Sequence, residues 1–330
     1  REYYLETFDK SYIAARQAAR TQRDQRGKLV DGLKEIMVMT DLDSVRKRQT
    51  YVLRRGAYDA PTDPVEPDTP AVFLPFPKDA PRNRAGLARW LTSPVHPLTS
   101  RVAVNRLWQQ CFGGGLVRTP EDFGSQGQPP THPKLFDWLA RDFVTHGWDI
   151  KRALRQVVLS ATYRQASRSA GPGRTIDPDN RWLGRMNRRR LSIEAWRDAM
   201  LTASGELDMA LGGPARTVDN PKHRRRTLYS TINRRELDTM LRLYDFPSPT
   251  GHSPKRVRTI TPLQQLFVLN SPFIIRQSAL IASRIPGGPR PRIAVDRLHR
   301  LLFDRTAGPG EIQTAVEFLA AAGPRGWPQY

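Results

Sequence analysis

The chain has one cysteine, Cys111, and lysine makes up only nine of its 53 cationic residues. A single cysteine forms no internal disulfide, so cysteine usage says nothing of the redox compartment. No C-x-x-C-H run occurs, and any haem therefore belongs to a separate upstream module. H-E-x-x-H is absent. Gly113-Gly114-Gly115 lacks both the lysine of a phosphate loop and the spacing of a dinucleotide fingerprint, and neither Ser125 nor Ser160 has the setting of a nucleophile elbow. These absences count against the familiar kinase, hydrolase and zinc-protease classes, and they leave no metal or cofactor expected in this segment. No apolar run reaches the roughly 18 residues from which a membrane-crossing helix is read, and no secretory leader opens the chain. Arg1-Glu2-Tyr3-Tyr4 starts inside a helical pattern, so the chain is expected to be a piece of a longer protein, with upstream domains as partners.

What the sequence does have is positive charge. Against 53 cations stand 32 acids, a formal net charge of +21, which attracts anionic partners at low salt. Biased genome composition is a second source of such an arginine excess. At 330 residues the chain supports one large domain or two modest ones, with about three quarters of the unfolded surface buried on folding.

Most of the local information lies between His96 and Trp148. Val104, Leu107, Trp108 and Cys111 fall at i, i+3, i+4 and i+7, the core face of a helix from about Thr99 to Phe112. Arg101, Asn105, Arg106, Gln109 and Gln110 occupy its other sides, too polar to bury without partners. The three glycines stop this helix. Thr119-Pro120-Glu121-Asp122 reads as a one-turn helix start, and Thr131 ahead of His132-Pro133 as the cap of a second helix. That helix turns Leu135, Phe136, Leu139, Phe143 and Val144 inward and spaces Asp137 and Arg141 for a surface ion pair. The connector is too short for a linker and is expected to be an ordered loop, either a binding surface or a plug over the core.

Elsewhere, helical patterns cover Glu2 to about Lys34, with Tyr4, Phe8, Tyr12 and Ala15 in one stripe. Others cover 84–92, with Leu87, Ala88 and Leu91 inward, and 150–161, with Ile150, Leu154, Val157, Val158 and Ala161. Gly171-Pro172-Gly173 breaks the chain. From Ser192 to Leu207 the inward set is Ile193, Trp196, Met200 and Ala203. Glu194 and Asp198 are one turn apart there, and ion pairing with Arg190 and Arg197 explains them better than metal ligation. Ile36–Met39 and Thr50–Leu53 are strand candidates for a small ribbon, and Thr227–Ile232 for a further short strand. Thr261 with Pro262 begins another helix, with Leu266, Phe267, Leu269, Phe273, Ile274 and Ile275 as buried candidates. A final helix pair covers 291–303 and 309–322. The expected class is mainly α: an irregular multi-helix domain with long ordered loops and a small β-ribbon. Residues 1–58 form an N-terminal helix and ribbon, 59–83 a proline-rich surface arm, and 84–330 the main helical domain.

The runs AGLARWLTSPVHPLTSRVAVNRLWQQCFGGGLVRTPEDFGSQGQPPTHPKLFDWLARDF and LSATYRQAS resemble a domain of unknown function found in large planctomycete-type proteins. Leu53-Arg54-Arg55-Gly56 with Tyr58-Asp59, Asp177-Pro178-Asp179-Asn180, Arg188-Arg189-Arg190-Leu191 and Arg258 through Gln264 extend the likeness, which runs from about residue 35 to 280. Such proteins often carry a cytochrome c-like module as well. The resemblance implies an extracytoplasmic setting, periplasmic or at the cell surface, but no established activity. Where relatives often have cysteine before the position of Arg256, this chain has His252, which argues against a thiol-based mechanism.

The sharpest candidate site is built from loops. His96, His132, Asp137 and His252 are the candidates for acid–base chemistry, and Arg101, Asn105, Arg106, Asp122, Asp245, Arg256 and Arg258 for ligand binding. Histidine exchanges protons near neutral pH, and arginine holds planar anions through two parallel hydrogen bonds. A cleft with both suits a sulfated or carboxylated glycan. The alternative is that His96 and His132, each followed by proline, fix turns while the arginines satisfy loop carbonyls. Two other functions stay open: a scaffold whose cationic surface docks a redox partner or another domain, and nucleic-acid binding through Arg188–Arg190 and Arg224–Arg226. Nucleic acid is disfavoured, because these clusters lack interleaved aromatics for stacking bases.

Overall fold

The computed structural model describes residues 2–32, 36–42, 46–70, 72–168, 172–285, 291–323 and 326–330. Arg1, the expected helix end near Lys34, and Gly171 lie outside the described residues. The chain divides into two compact units, Arg1–His96 and Pro97–Tyr330.

In the first unit, α1 (Glu2–Thr7) leads into α2 (Lys10–Asp31). The Asp9 carboxylate caps α2 by accepting from the backbone N–H groups of Ser11 and Tyr12 at 2.9 and 3.1 Å. Tyr4, Phe8 and Tyr12 are exposed. The ribbon forms, but with a different partner: β1 (Thr50–Leu53) pairs antiparallel with β2 (Pro61–Val65), matching Tyr51 to Pro64 and Leu53 to Pro61. Ile36–Met39 is irregular and exposed. The start of the proline-rich arm is thus a strand, since proline is tolerated in a two-stranded ribbon, where every strand is an edge.

Helix α3 (Arg84–Leu91) buries Gly86 and Trp90, while Leu87 and Leu91, expected inside, are 42% and 39% exposed. The later part of the arm decides this. Trp90 Nε1 donates to the Leu74 carbonyl at 2.8 Å. A Cβ on Gly86 would lie 2.0 Å from the Pro81 carbonyl oxygen, so only glycine permits that approach.

The second unit holds α4 (Thr99–Phe112), α5 (Pro133–Thr145), α6 (Ile150–Leu159), the single turn α7 (Gly173–Ile176), α8 (Ile193–Ser204), α9 (Thr239–Leu243), α10 (Pro262–Asn270), α11 (Pro272–Ser283), α12 (Pro291–Phe303) and α13 (Pro309–Ala322). Among the described residues the protein is mainly α, with one two-stranded sheet. No single helix among them is long and apolar enough to cross a membrane.

The first core of this unit joins α4, α5 and α6 through Val104, Trp108, Cys111, Phe112, Phe136, Leu139, Phe143 and Val157, with Leu107 partly buried beside them. Trp108 stacks on Phe112 at 4.4 Å between ring centroids. Burial pushes the Cys111 thiol up, partly offset by Arg189, which suits an inert structural cysteine. Ile150, expected inward, is 55% exposed.

Asn105, expected on a polar side of α4, is fully buried. It has the partners that burial demands: its side-chain amide accepts from Val117 N–H at 2.9 Å and donates to Val117 C=O at 3.0 Å. The connector is therefore a plug. Leu116 and Val117 insert into the core, and Thr131 N–H closes the loop by donating to the Leu116 carbonyl at 2.9 Å. Thr119 starts no helix; its hydroxyl donates to the Asp122 carbonyl at 2.7 Å and accepts from Gln128 N–H at 3.0 Å, pinning the loop across its waist. Nor does Thr131 cap α5, whose N-cap position is His132, with no side-chain hydrogen bond to the helix. Asn105→Ala would orphan both backbone groups of Val117. It is expected to cost about 2–3 kcal/mol in urea denaturation, from two buried polar groups left unpaired; a loss under about 0.5 kcal/mol would show that the plug is held by apolar contacts alone.

The second core gathers Ile193, Val218, Met240, Leu241 and Tyr244, with Trp196, Phe246, Phe267 and Phe273 packed around it. On α8 the buried face is Ile193, Arg197 and Leu201 rather than one that includes Met200. Thr227–Tyr229 is a 3-10 turn rather than a strand. Thr261 caps α10 as its sequence indicates, in a reciprocal box with Gln264 and with Pro262 at the first position. Leu266, Leu269 and Ile275, expected inside, are instead 53%, 70% and 54% exposed, while Ile274 is buried. Ile285, Ala294 and Leu298 form a third cluster under α12, against Ile281 and Trp327.

Candidate functional site

The end of α4, the segment before α8 and the loop after α9 converge because specific side chains bind backbone across long sequence distances. Gly113 takes φ 82°, the left-handed conformation that closes α4. Asn187 donates to the Phe112 carbonyl at 2.9 Å and Arg189 to the Gln110 carbonyl at 2.6 Å, laying residues 187–189 over the helix end. Arg190 reaches the other way, to the Thr259 carbonyl and Gln264 Oε1, both at 2.8 Å, with its guanidinium 5.1 Å from the centre of the Tyr244 ring. Asp245, at φ 61°, accepts from Thr259 N–H at 2.9 Å and Thr259 Oγ1 at 2.6 Å, closing the 245–259 loop at its neck. Arg256 fixes its middle, giving two parallel hydrogen bonds to Glu194 at 2.6 and 2.7 Å and lying 5.0 Å over the Phe246 ring. The Glu194 hydrogen bond raises the Arg256 pKa. Burial pushes Glu194 upward, but its bonds to Arg256 outweigh that and leave it below the usual carboxylate range.

Between these pieces lies a groove of about 750 Å3, lined by Arg106, Gln109, Gln110, Gly113, Arg189, Ser192, Pro247, His252, Ser253, Pro254, Lys255, Arg256 and Arg258. Five of these side chains are cationic and none is a carboxylate. Glu194, which is not a lining residue, pairs with Arg256. Partial burial and then repulsion from Arg189 and Arg256 lower the pKa of Arg258. Charges of one sign held this close, with no acid between them, create a potential that an anion relieves.

Of the residues singled out from sequence, the structure brings Arg106, His252, Arg256 and Arg258 into this groove, with Asp245 holding the loop that carries three of them. The others are elsewhere. His96 belongs to the first unit, edge-on to Trp90 at 4.6 Å, where burial keeps its base below the ordinary range. Asp137 pairs with Arg101 at 2.7 Å rather than with Arg141. Asn105 serves the plug, and the Asp122 carboxylate accepts from Gly124 N–H at 2.7 Å. His132 Nδ1 lies 2.9 Å from Thr131 Oγ1, its ring edge-on to Trp182 at 5.7 Å. Glu194 and Asp198 do ion-pair: Glu194 with Arg256 rather than Arg190, and Asp198 with Arg197 at 4.0 Å as expected, while Asp198 also accepts from Thr227 N–H at 2.8 Å and its hydroxyl at 2.6 Å. Arg189 and Lys255 were not among the candidates. The Arg188–Arg190 run had pointed toward one of them.

The family model described as PSD1, protein of unknown function (DUF1553), matches residues 83–319. The chain belongs to the PSD1 family. No curated protein and no solved structure matches it. All residues of the groove fall inside the matched span, so this PSD1 chain carries its basic cleft within the part that defines the family.

Proposed function

We propose that this PSD1 chain is a module that binds anionic polysaccharide, sulfated or carboxylated, along the groove between α4, residues 187–192 and the 245–258 loop. The observation that carries the reading is a lining of Arg106, Arg189, Lys255, Arg256 and Arg258 with no carboxylate among the groove's residues. No phenylalanine, tyrosine or tryptophan lines that groove, so it lacks the stacking platforms that single-stranded nucleic acid uses. Guanidinium groups suit sulfate and carboxylate, which accept two parallel hydrogen bonds. Action outside the cytoplasm, periplasmic or at the cell surface, is part of the same proposal and rests on the sequence resemblance.

The test is binding of heparin and polygalacturonate against neutral dextran over a range of NaCl concentrations. Both anionic polymers are expected to bind at low salt and weaken steadily as screening rises, and dextran not to bind. Arg106 and Lys255 make no side-chain ion pair among the described residues, so their loss leaves no buried charge uncompensated. The double variant Arg106→Gln with Lys255→Gln is expected to weaken heparin binding roughly tenfold, since an exposed charge contact is worth about 0.2–1 kcal/mol. Absence of binding to either anionic polymer at low salt overturns the proposal.

A further inference from the structure

Beside the basic groove, and sharing Arg256 and Arg258 with it, opens a cavity of about 350 Å3 with a different character. Leu191, Ile193, Trp196, Tyr244, Ile260 and Val268 supply apolar and aromatic walls. Trp196 and Tyr244 lie 5.1 Å apart between ring centroids, and the Tyr244 hydroxyl is spent on the Gln264 carbonyl at 2.8 Å, leaving the ring as wall. Three guanidiniums reach this cavity, and their commitments differ. Arg190 is held by Thr259 and Gln264, and Arg256 by Glu194. Arg258 makes no hydrogen bond or ion pair among the described residues, and the charges that weigh on it are the repelling Arg189 and Arg256. The only carboxylate in the lining, Asp245, faces Thr259 N–H and Oγ1.

We infer that this cavity binds a small aryl or alkyl carboxylate, its apolar body against Trp196, Ile260 and Val268 and its carboxylate on Arg258. The size fits: about 350 Å3 lies at the small end of ligand pockets, room for one ring and a short chain. The chemistry fits too. A neutral ligand would fill the apolar walls but leave Arg258 unanswered, whereas an inorganic anion would answer Arg258 and leave the walls empty. The inference shares Arg258 with the polysaccharide reading but needs no polymer, so the two stand or fall separately.

The probes are 3-phenylpropionate and its neutral counterpart 3-phenylpropan-1-ol, titrated by NMR and calorimetry against the whole chain at about 150 mM NaCl, where long-range charge attraction is largely screened. The acid is expected to bind at least tenfold tighter than the alcohol. Arg258→Gln should bring the acid down to the level of the alcohol. Val268→Trp, at a position 38% exposed on α10, should fill the cavity and abolish binding of both, while heparin binding stays as in the parent. Circular dichroism and melting confirm that each variant folds. Equal binding of acid and alcohol, binding of neither, or unchanged acid binding in Val268→Trp overturns the inference. If the acid binds but no anionic polymer does, the cavity stands and the polysaccharide reading falls.

Discussion

Arg197→Ala is expected to lower the unfolding free energy by about 3–5 kcal/mol, the range for breaking a buried charged network by removing one partner. Arg197 is 1% exposed on the inner face of α8. Its guanidinium donates to the His223 carbonyl, to the Arg225 carbonyl at 3.2 Å and to Thr227 Oγ1 at 3.2 Å, and lies 5.4 Å from the centre of the Phe273 ring. Asp198, 4.0 Å away, supplies the counter-charge while binding Thr227. Burial lowers the Arg197 pKa, and the attraction of Asp198 and Asp238 opposes that. One side chain thus satisfies three acceptors in a stretch, residues 205–231, that has only a 3-10 turn and isolated bridges of its own. Truncation leaves those carbonyls orphaned and Asp198 without its buried partner. Urea denaturation at pH 7 reads the loss directly. Arg197→Lys should recover only part of it, because an ammonium lacks the planar fork that reaches several acceptors at once. A loss below about 1 kcal/mol for the alanine variant would mean that the region is held by its apolar contacts instead.

Helices were legible from sequence where local physics sets them: the apolar spacing of α4 and α5, the glycine end of α4, and the Thr261–Pro262 start of α10 all describe interactions within a few residues. Errors begin where a distant partner decides. Asn105 looks like a surface amide until Val117, twelve residues on, offers both a donor and an acceptor. Arg197 reads as a neutraliser of nearby acids, whereas carbonyls 26 and 28 residues away make its burial possible. Asp137 has Arg141 at a spacing worth a few tenths of a kcal/mol, yet Arg101 from a neighbouring helix takes the carboxylate with two nitrogens. The same holds for the groove. His252, Arg256 and Arg258 share one loop and could be grouped by eye, but Arg106 and Arg189 join them only through bonds such as Arg189 to Gln110, 79 residues apart.

Stability is expected to fall between pH 6.5 and pH 4, through His223. This imidazole is 2% exposed, its Nε2 lies 3.0 Å from Ser230 Oγ, and its own carbonyl receives Arg197. Burial, followed by the positive charges of Arg197, Arg225 and Arg216, lowers its pKa to about 4 from an ordinary 6.5, with Asp198 opposing only in part. The sign follows from linkage. Above pH 6.5 the ring is neutral in both folded and unfolded chains and contributes no pH dependence. As pH falls through 6.5 the unfolded chain takes up a proton that the fold refuses until about pH 4, so the unfolded state gains and stability drops. A difference of about 2.5 units corresponds to a loss of roughly 3 kcal/mol, complete once pH is below the folded value. His96, also lowered by burial, slopes the same way, so the test is a comparison rather than a single profile. Carboxylates slope the same way but lower down: Glu311, held down to about 2 first by its hydrogen bond from Arg305, starts to lose its contribution as pH falls through its ordinary 4.5 and overlaps His223 only at the acid end of the window. Urea midpoints between pH 4 and 7.5 for the parent and for His223→Gln should separate at neutral pH by the cost of the substitution and converge as pH falls, because glutamine takes up no proton in either state. Parallel profiles across that window would show that His223 is not the group being titrated.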